Sequence, residues 1–123
     1  MTRATGSAPS GASTIQTFVP ITGKSTGGDF AAARLHDRCS GHGCFPPRPN
    51  NQASTNVFIN DRGAHRKTDS YEIHCCGSSC HGGILSEGAK NVYINDLNAG
   101  RVTDPVSCGS AIVEGSPNVF IGD

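Results

Sequence analysis

The residues with chemistry to offer are concentrated in a few places. From Glu72 to Gly83 the chain reads EIHCCGSSCHGG, with three cysteines and two histidines in the eight residues from His74 to His81. A second group, Cys39-Ser-Gly-His42-Gly-Cys44, lies upstream, and Cys108 stands alone downstream. Thiolates and imidazoles are the ligands of tetrahedral zinc, paired thiols make disulfides, and an activated thiol makes a redox site. The last has the least support: there is no Cys-x-x-Cys, only adjacent Cys75-Cys76 and a step of four residues to Cys80. A phosphate-binding loop is also absent, because Gly23-Lys24-Ser25 lacks the upstream glycine.

The elements that must position these residues form an internal repeat. Asn56-Val-Phe-Ile-Asn60 returns as Asn91-Val-Tyr-Ile-Asn95 and Asn118-Val-Phe-Ile-Gly122. Arg34-Leu-His-Asp37 returns as Arg66-Lys-Thr-Asp69 and Arg101-Val-Thr-Asp104. Each copy reads Arg-x-x-Asp, a loop, a short strand and a turn. Alternation of β-branched and aromatic residues predicts a strand with one face inward, and Asn60-Asp61 and Asn95-Asp96 predict reversals. The returning strand is expected over 64–67 or 99–102, so each copy is a β-hairpin that throws out a polar loop. No apolar helical stripe exceeds one turn. The arginines and aspartates are expected to pair and hold neighbouring hairpins.

Composition agrees with an all-β domain. Ile and Val total 15 against three Leu, beside 16 Gly and seven Pro, a bias toward strands and turns. Ten basic residues cancel ten acidic ones, which excludes a nucleic-acid footprint or a polybasic membrane patch. With 23 Leu, Ile, Val and Phe in 123 residues, the core is small, and a metal, a disulfide or a partner is expected to staple it. Residues 1–27, rich in Ser, Thr and Gly, are expected to be a weakly ordered extension, and 28–123 the folded domain. Met1 to Ile21 holds no apolar signal-peptide core, so synthesis in a cytoplasm is expected, where structural disulfides are uncommon.

If the copies superpose, their loops converge and one site draws on all three. His42 follows Asp37 by five residues, His74 follows Asp69 by five, and Cys108 follows Asp104 by four. His81 precedes Gly82-Gly83, where bare backbone allows close approach. This favours His42, His74, His81 and Cys108 around one ion, zinc or iron, since both accept imidazole and thiolate. Ligands are over-supplied and Glu72 is the sole carboxylate in the stretch, so the expectation is a closed structural site and no enzyme. Cys39, Cys44, Cys75, Cys76 and Cys80 are expected to pack as free thiols. The competing reading bridges Cys39 or Cys44 to Cys75, Cys76 or Cys80.

At this point the chain resembles the PAAR-repeat family. Ala31-Ala32-Ala33-Arg34 is similar to the family's Pro-Ala-Ala-Arg with Ala for Pro, while Gly63-Ala64-His65-Arg66 and Asn98-Ala99-Gly100-Arg101 are looser copies. Gly115-Ser-Pro-Asn-Val-Phe-Ile-Gly122 is similar to the family's recurring strand. The resemblance implies a small conical domain of three β-hairpin-like repeats around a pseudo-threefold axis, with a metal near the tip. It implies three histidine ligands and one cysteine, which carry over to His42, His74, His81 and Cys108. It further implies a structural tip that caps the trimeric β-helical, membrane-piercing spike of a phage tail or type VI secretion system, one cap per trimer. Such a tip meets a target outer membrane transiently, and a bare tip is the expectation over an effector-carrying one. The long Phe45 to Asn51 insertion makes the first copy uneven. A cytoplasmic zinc-binding interaction module is the alternative expectation.

Overall fold

The computed structural model describes residues 2–4 and 30–122. The extension assigned to residues 1–27 therefore lies outside the described residues, apart from one short strand. In chain order the strands are β1 (Thr2–Ala4), β2 (Phe30–Ala31), β3 (Phe58–Ile59), β4 (Arg62–Gly63) and β5 (Ser70–Cys76). They continue as β6 (Ser79–Ile84), β7 (Val92–Ile94), β8 (Leu97–Asn98) and β9 (Phe120–Ile121). Among the described residues there is no helix, and the domain is all-β.

The recurring Asn-Val-aromatic-Ile segments form strands for the reason their alternation implies. Val57, Ile59, Val92, Ile94, Val119 and Ile121 are buried together, while the alternating Phe58 and Tyr93 are half-buried and Phe120 is exposed. In β3–β4 the register is Phe58↔Gly63 and Ile59↔Arg62, and in β7–β8 it is Tyr93↔Asn98 and Ile94↔Leu97. The two-residue turns put Asn60 and Asp61 at φ 53° and 66°, and Asn95 and Asp96 at 53° and 67°. Left-handed backbone at both positions is what such hairpins require and what Asn and Asp tolerate. The third copy has no turn. Instead β9 pairs antiparallel with β2 from the other end of the domain, Phe30↔Ile121 and Ala31↔Phe120. The chain thereby closes on itself. β1 lies parallel on the outer side of β7, with Thr2 opposite Val92.

The hairpins are shorter than the sequence suggests. Residues 64–66 and 99–101 do not extend the returning strand but turn inward to bridge other copies, Arg34↔Ala64, Arg66↔Ala99 and Ala32↔Arg101. Three backbone hydrogen bonds close a ring there: Ala33 N to Gly100 O (3.0 Å), His65 N to Ala33 O (3.1 Å) and Gly100 N to His65 O (2.8 Å). Backbones this close leave room only for small side chains. Ala32, Ala64 and Ala99 are fully buried, and a Cβ on Gly100 would sit 2.8 Å from Leu85 Cδ2 and 3.0 Å from His65 O.

Each Arg-x-x-Asp is a self-contained clasp. The carboxylate of Asp69 accepts hydrogen bonds from Arg66 N, Nε and Nη2, all at 2.9 Å, and Asp37 and Asp104 repeat the pattern with Arg34 and Arg101. Turns this tight put His36, Thr68 and Thr103 at φ 74°, 79° and 86°, an uncommon region for any residue but glycine and most of all for the β-branched threonines. The remaining Nη1 reaches the strand end of the same copy: Asn60 from Arg34, Asn95 from Arg66, and the Gly122 carbonyl from Arg101. The arginines thus join the two ends of their own copy, and the backbone ring joins the copies.

The second polar loop is the largest departure. It is a β-hairpin, β5–β6, with strands of seven and six residues. Alternation is hard to read in its sequence because only Tyr71 and His74 of β5 are buried, and the register shifts between them.

Two outcomes follow. Asp69→Ala strips a buried carboxylate from Arg66 and from a backbone amide, and should destabilise the domain by about 3 kcal/mol. Thermal unfolding should show a melting temperature lower by roughly 10 °C or more. The second concerns His65, fully buried between the Gln52 carbonyl (Nδ1, 2.9 Å) and the Tyr71 hydroxyl (Nε2, 3.0 Å). Burial holds its imidazolium pKa below the usual value, outweighing the Gln52 hydrogen bond and Asp69. Its contribution to stability is full above about pH 6.5, the unfolded value, and is lost as pH falls from there toward the lowered folded value. An NMR titration should find the midpoint of this ring below that of a free imidazole, about 6.5.

Candidate metal centre

Four sequence-distant side chains meet at one end of the domain. The donor atoms of His42, His74, His81 and Cys108 all lie within 4.8 Å of one another. His42 sits on a tight turn closed by His42 N to Phe45 O (3.0 Å) and Phe45 N to His42 O (2.8 Å), with Gly41 and Gly43 at φ 73° and 55°. His74 and His81 face each other as a cross-strand pair of β5–β6. Cys108 comes from a turn closed by Val106 N to Ser110 O (2.8 Å), with Gly109 at φ 106°. His81 is therefore placed by strand register, and bare backbone at Gly83 allows Arg48 and Cys108 to approach closely.

The donor set fits a tetrahedral cation. His74 Nδ1 donates to the Pro46 carbonyl at 2.8 Å, which leaves its Nε2 lone pair free. That Nε2 lies 2.8 Å from His81 Nε2, which is 3.1 Å from His42 Nε2. Bonds of about 2.0–2.3 Å at tetrahedral angles need donors roughly 3.3–3.8 Å apart, close to this spacing. Burial, together with His74, His42 and Arg48, holds the His81 pKa low, favouring the neutral ring that a metal needs. Three imidazole nitrogens aimed at one point beside a thiol is an arrangement that a metal ion satisfies.

The PAAR-motif family profile matches residues 47–110 and again 77–123. The chain belongs to the PAAR-motif family. That family is structural and is associated with the spike tips of contractile injection systems. The matched ranges take in the second and third Arg copies and leave out the first, where Ala31 replaces proline. Among curated proteins, none matches this PAAR chain.

The PAAR site has a second layer that the sequence did not disclose. Arg48, inside the insertion of the uneven first copy, is buried. Its Nη2 donates to Cys108 Sγ at 3.1 Å, and its Nη1 to the carbonyls of Glu72 (2.7 Å) and His81 (3.3 Å). Its guanidinium lies 5.3 Å from the Tyr71 ring centre, and its Nε is buried without a partner. One cation thus bonds the sulfur donor and both strands of the hairpin that carries two imidazoles. Phe45 packs on all three rings, 4.8 Å from His42, 5.0 Å from His74 and 4.3 Å from His81 between centroids. Two large residues of an insertion that looked like an irregularity are the wall of the site.

The remaining cysteines depart from the free-thiol expectation. Cys44 pairs with Cys76 and Cys75 with Cys80 as disulfides, and among these five only Cys39 is a buried free thiol. The competing reading, a bridge from the first loop to the second, holds for Cys44–Cys76. Alternation along β5 explains the pairing: adjacent Cys75 and Cys76 point to opposite faces, so one meets its cross-strand partner and the other the His42 turn.

Gly83 is the glycine whose added side chain would press on both Arg48 and Cys108. A Cβ there would lie 2.8 Å from Arg48 Nη2 and 3.5 Å from Cys108 Sγ. Gly83→Ala should displace the guanidinium from the sulfur and cost about 1–3 kcal/mol, read as a lowered melting temperature, whereas Gly82→Ala beside it, exposed and with nothing nearer than 3.9 Å, should be tolerated far better.

Proposed function

We propose that this chain is the tip of the membrane-piercing spike of a contractile injection machine, a phage tail or type VI secretion system. One copy caps one trimeric β-helical spike. Membership of the PAAR-motif family supports this, and so does the way the copies join. Ala33, His65 and Gly100, at matching positions of three copies, exchange backbone hydrogen bonds in a closed ring. We read that ring as lying on a pseudo-threefold axis, which would let a single chain present three near-equivalent faces to three identical subunits. The folded part, 28–123, would form the cap.

The metal would be a single structural zinc, with iron the other cation suited to this donor set. Bound, it supplies a link among the His42 turn, the β5–β6 hairpin and the Cys108 turn. The chain's residues do the rest. His42, His74, His81 and Cys108 provide donors, Pro46 and Arg48 hold them in orientation, and Phe45 excludes water. A tip tied together in this way resists local unfolding when sheath contraction drives it against a membrane. A small contact area turns that force into high local pressure.

The carrying observation is the convergence of these four donors, and the test is assembly. Co-expressed with the trimeric spike of the same machine, the chain should purify at one copy per trimer with one metal ion. His74→Ala should lose the ion and most of the capped complex. A wild-type, metal-loaded chain that stays monomeric beside a well-folded spike would overturn the reading and favour a cytoplasmic zinc-binding module.

A further inference from the structure

The two disulfides are placed where the metal site needs support. Both attach to β5–β6, the hairpin that carries His74 and His81. Cys75–Cys80 is the cross-strand pair next to His74↔His81, and it locks the two rings in register. Cys44–Cys76 runs from that hairpin to the turn of His42, two residues before Cys44. The three histidine-bearing segments are therefore one covalent unit. The hairpin end needs such support: Cys75, Gly77, Ser78, Ser79, Cys80 and Gly82 are exposed. A two-stranded ribbon without a packed face is marginal in water.

The cysteine required as a donor is kept out of this network. Cys108 receives the Arg48 hydrogen bond and lies beside the ring nitrogens, and Cys39 is fully buried in the core with Tyr71, Leu85, Val106 and Ile112. The cysteines divide by position: one sulfur for the ion, one in the core, and four in bridges around the ring donors.

We propose that these bridges are a redox-controlled brace of the metal cage. In a reducing cytoplasm the four thiols are open and the cage is loose enough to load. When the tip meets a disulfide oxidant, the brace closes and the ion is trapped. Each bridge forms by thiol–disulfide exchange: two cysteine thiols reduce one oxidant disulfide, which leaves as two thiols carrying both electrons and both protons. The gain is preorganisation, since three imidazoles already held in place need no ordering when the ion binds.

This rests on the metal reading above, and the experiment separates the two. The full chain is loaded with zinc under reduction and then oxidised with glutathione disulfide. Thiols are counted by alkylation and mass after unfolding in chelator, and zinc release to a chelating dye is timed. The oxidised wild type should show two alkylatable cysteines of its six. It should release zinc at least about tenfold more slowly than Cys44→Ser/Cys76→Ser, Cys75→Ser/Cys80→Ser or the reduced wild type. If a double variant fails to fold, the reduced wild type carries the comparison. Six reactive thiols after oxidation, or equal release rates in bridged and open forms, would overturn the brace while leaving the metal site standing. No zinc uptake by any form would bring down the metal reading itself.

Discussion

The domain depends on three backbone segments that meet closely enough to hydrogen-bond one another in a ring. At the ring of Ala33, His65 and Gly100, each amide finds its acceptor on another copy, so none of the three segments is satisfied until all are present. This close approach suits the small residues of the Ala-Ala-Arg-like motifs: Ala32, Ala64 and Ala99 are fully buried beside it. It also explains the arginine clasps. An Arg-x-x-Asp turn in which one residue is held left-handed redirects the chain straight after the ring, and the guanidinium ties that turn to the far end of its own copy.

Everything toward the metal end follows from that junction. Above the ring, a second apolar cluster of Ala33, Cys39, Tyr71, Leu85, Val106 and Ile112 fills the space between the outgoing segments. Beyond it the apolar residues run out, and the chain changes the means by which it stays together. Arg48 replaces packing with hydrogen bonds to two carbonyls and a sulfur, and Phe45 covers the rings. Two disulfides and the cluster of three imidazoles and one thiol complete this part of the domain. A small domain has little interior to spend on its extremities, and covalent or metal links are the local substitute.

How much of this was legible depends on whether a residue's role is local. The Asn-Val-aromatic-Ile strands and the Asn-Asp turns are local, and their pattern states their structure directly. The clustering of His42, His74, His81 and Cys108 was legible because the repeat supplies a frame in which His42, His74 and Cys108 occupy comparable positions after their aspartates. The inward turn of 64–66 and 99–101 was not, because a strand that leaves its hairpin to pair elsewhere carries the same residues as one that stays. Arg48 and Phe45 were not legible because their roles are set by contacts 24 to 60 residues away. The disulfides turn on which face each cysteine of β5 presents, and the irregular register after Tyr71 hides that from the sequence.

The central claim is that remote loops of one small β-domain meet to hold a single cation through three imidazoles and one thiolate. X-ray absorption spectroscopy at the metal edge of the purified chain tests it most directly. The account predicts one ion per chain with three nitrogen neighbours at about 2.0–2.1 Å and one sulfur at about 2.3 Å. A shell with two or more sulfurs, or a folded chain that takes up no metal, would contradict it.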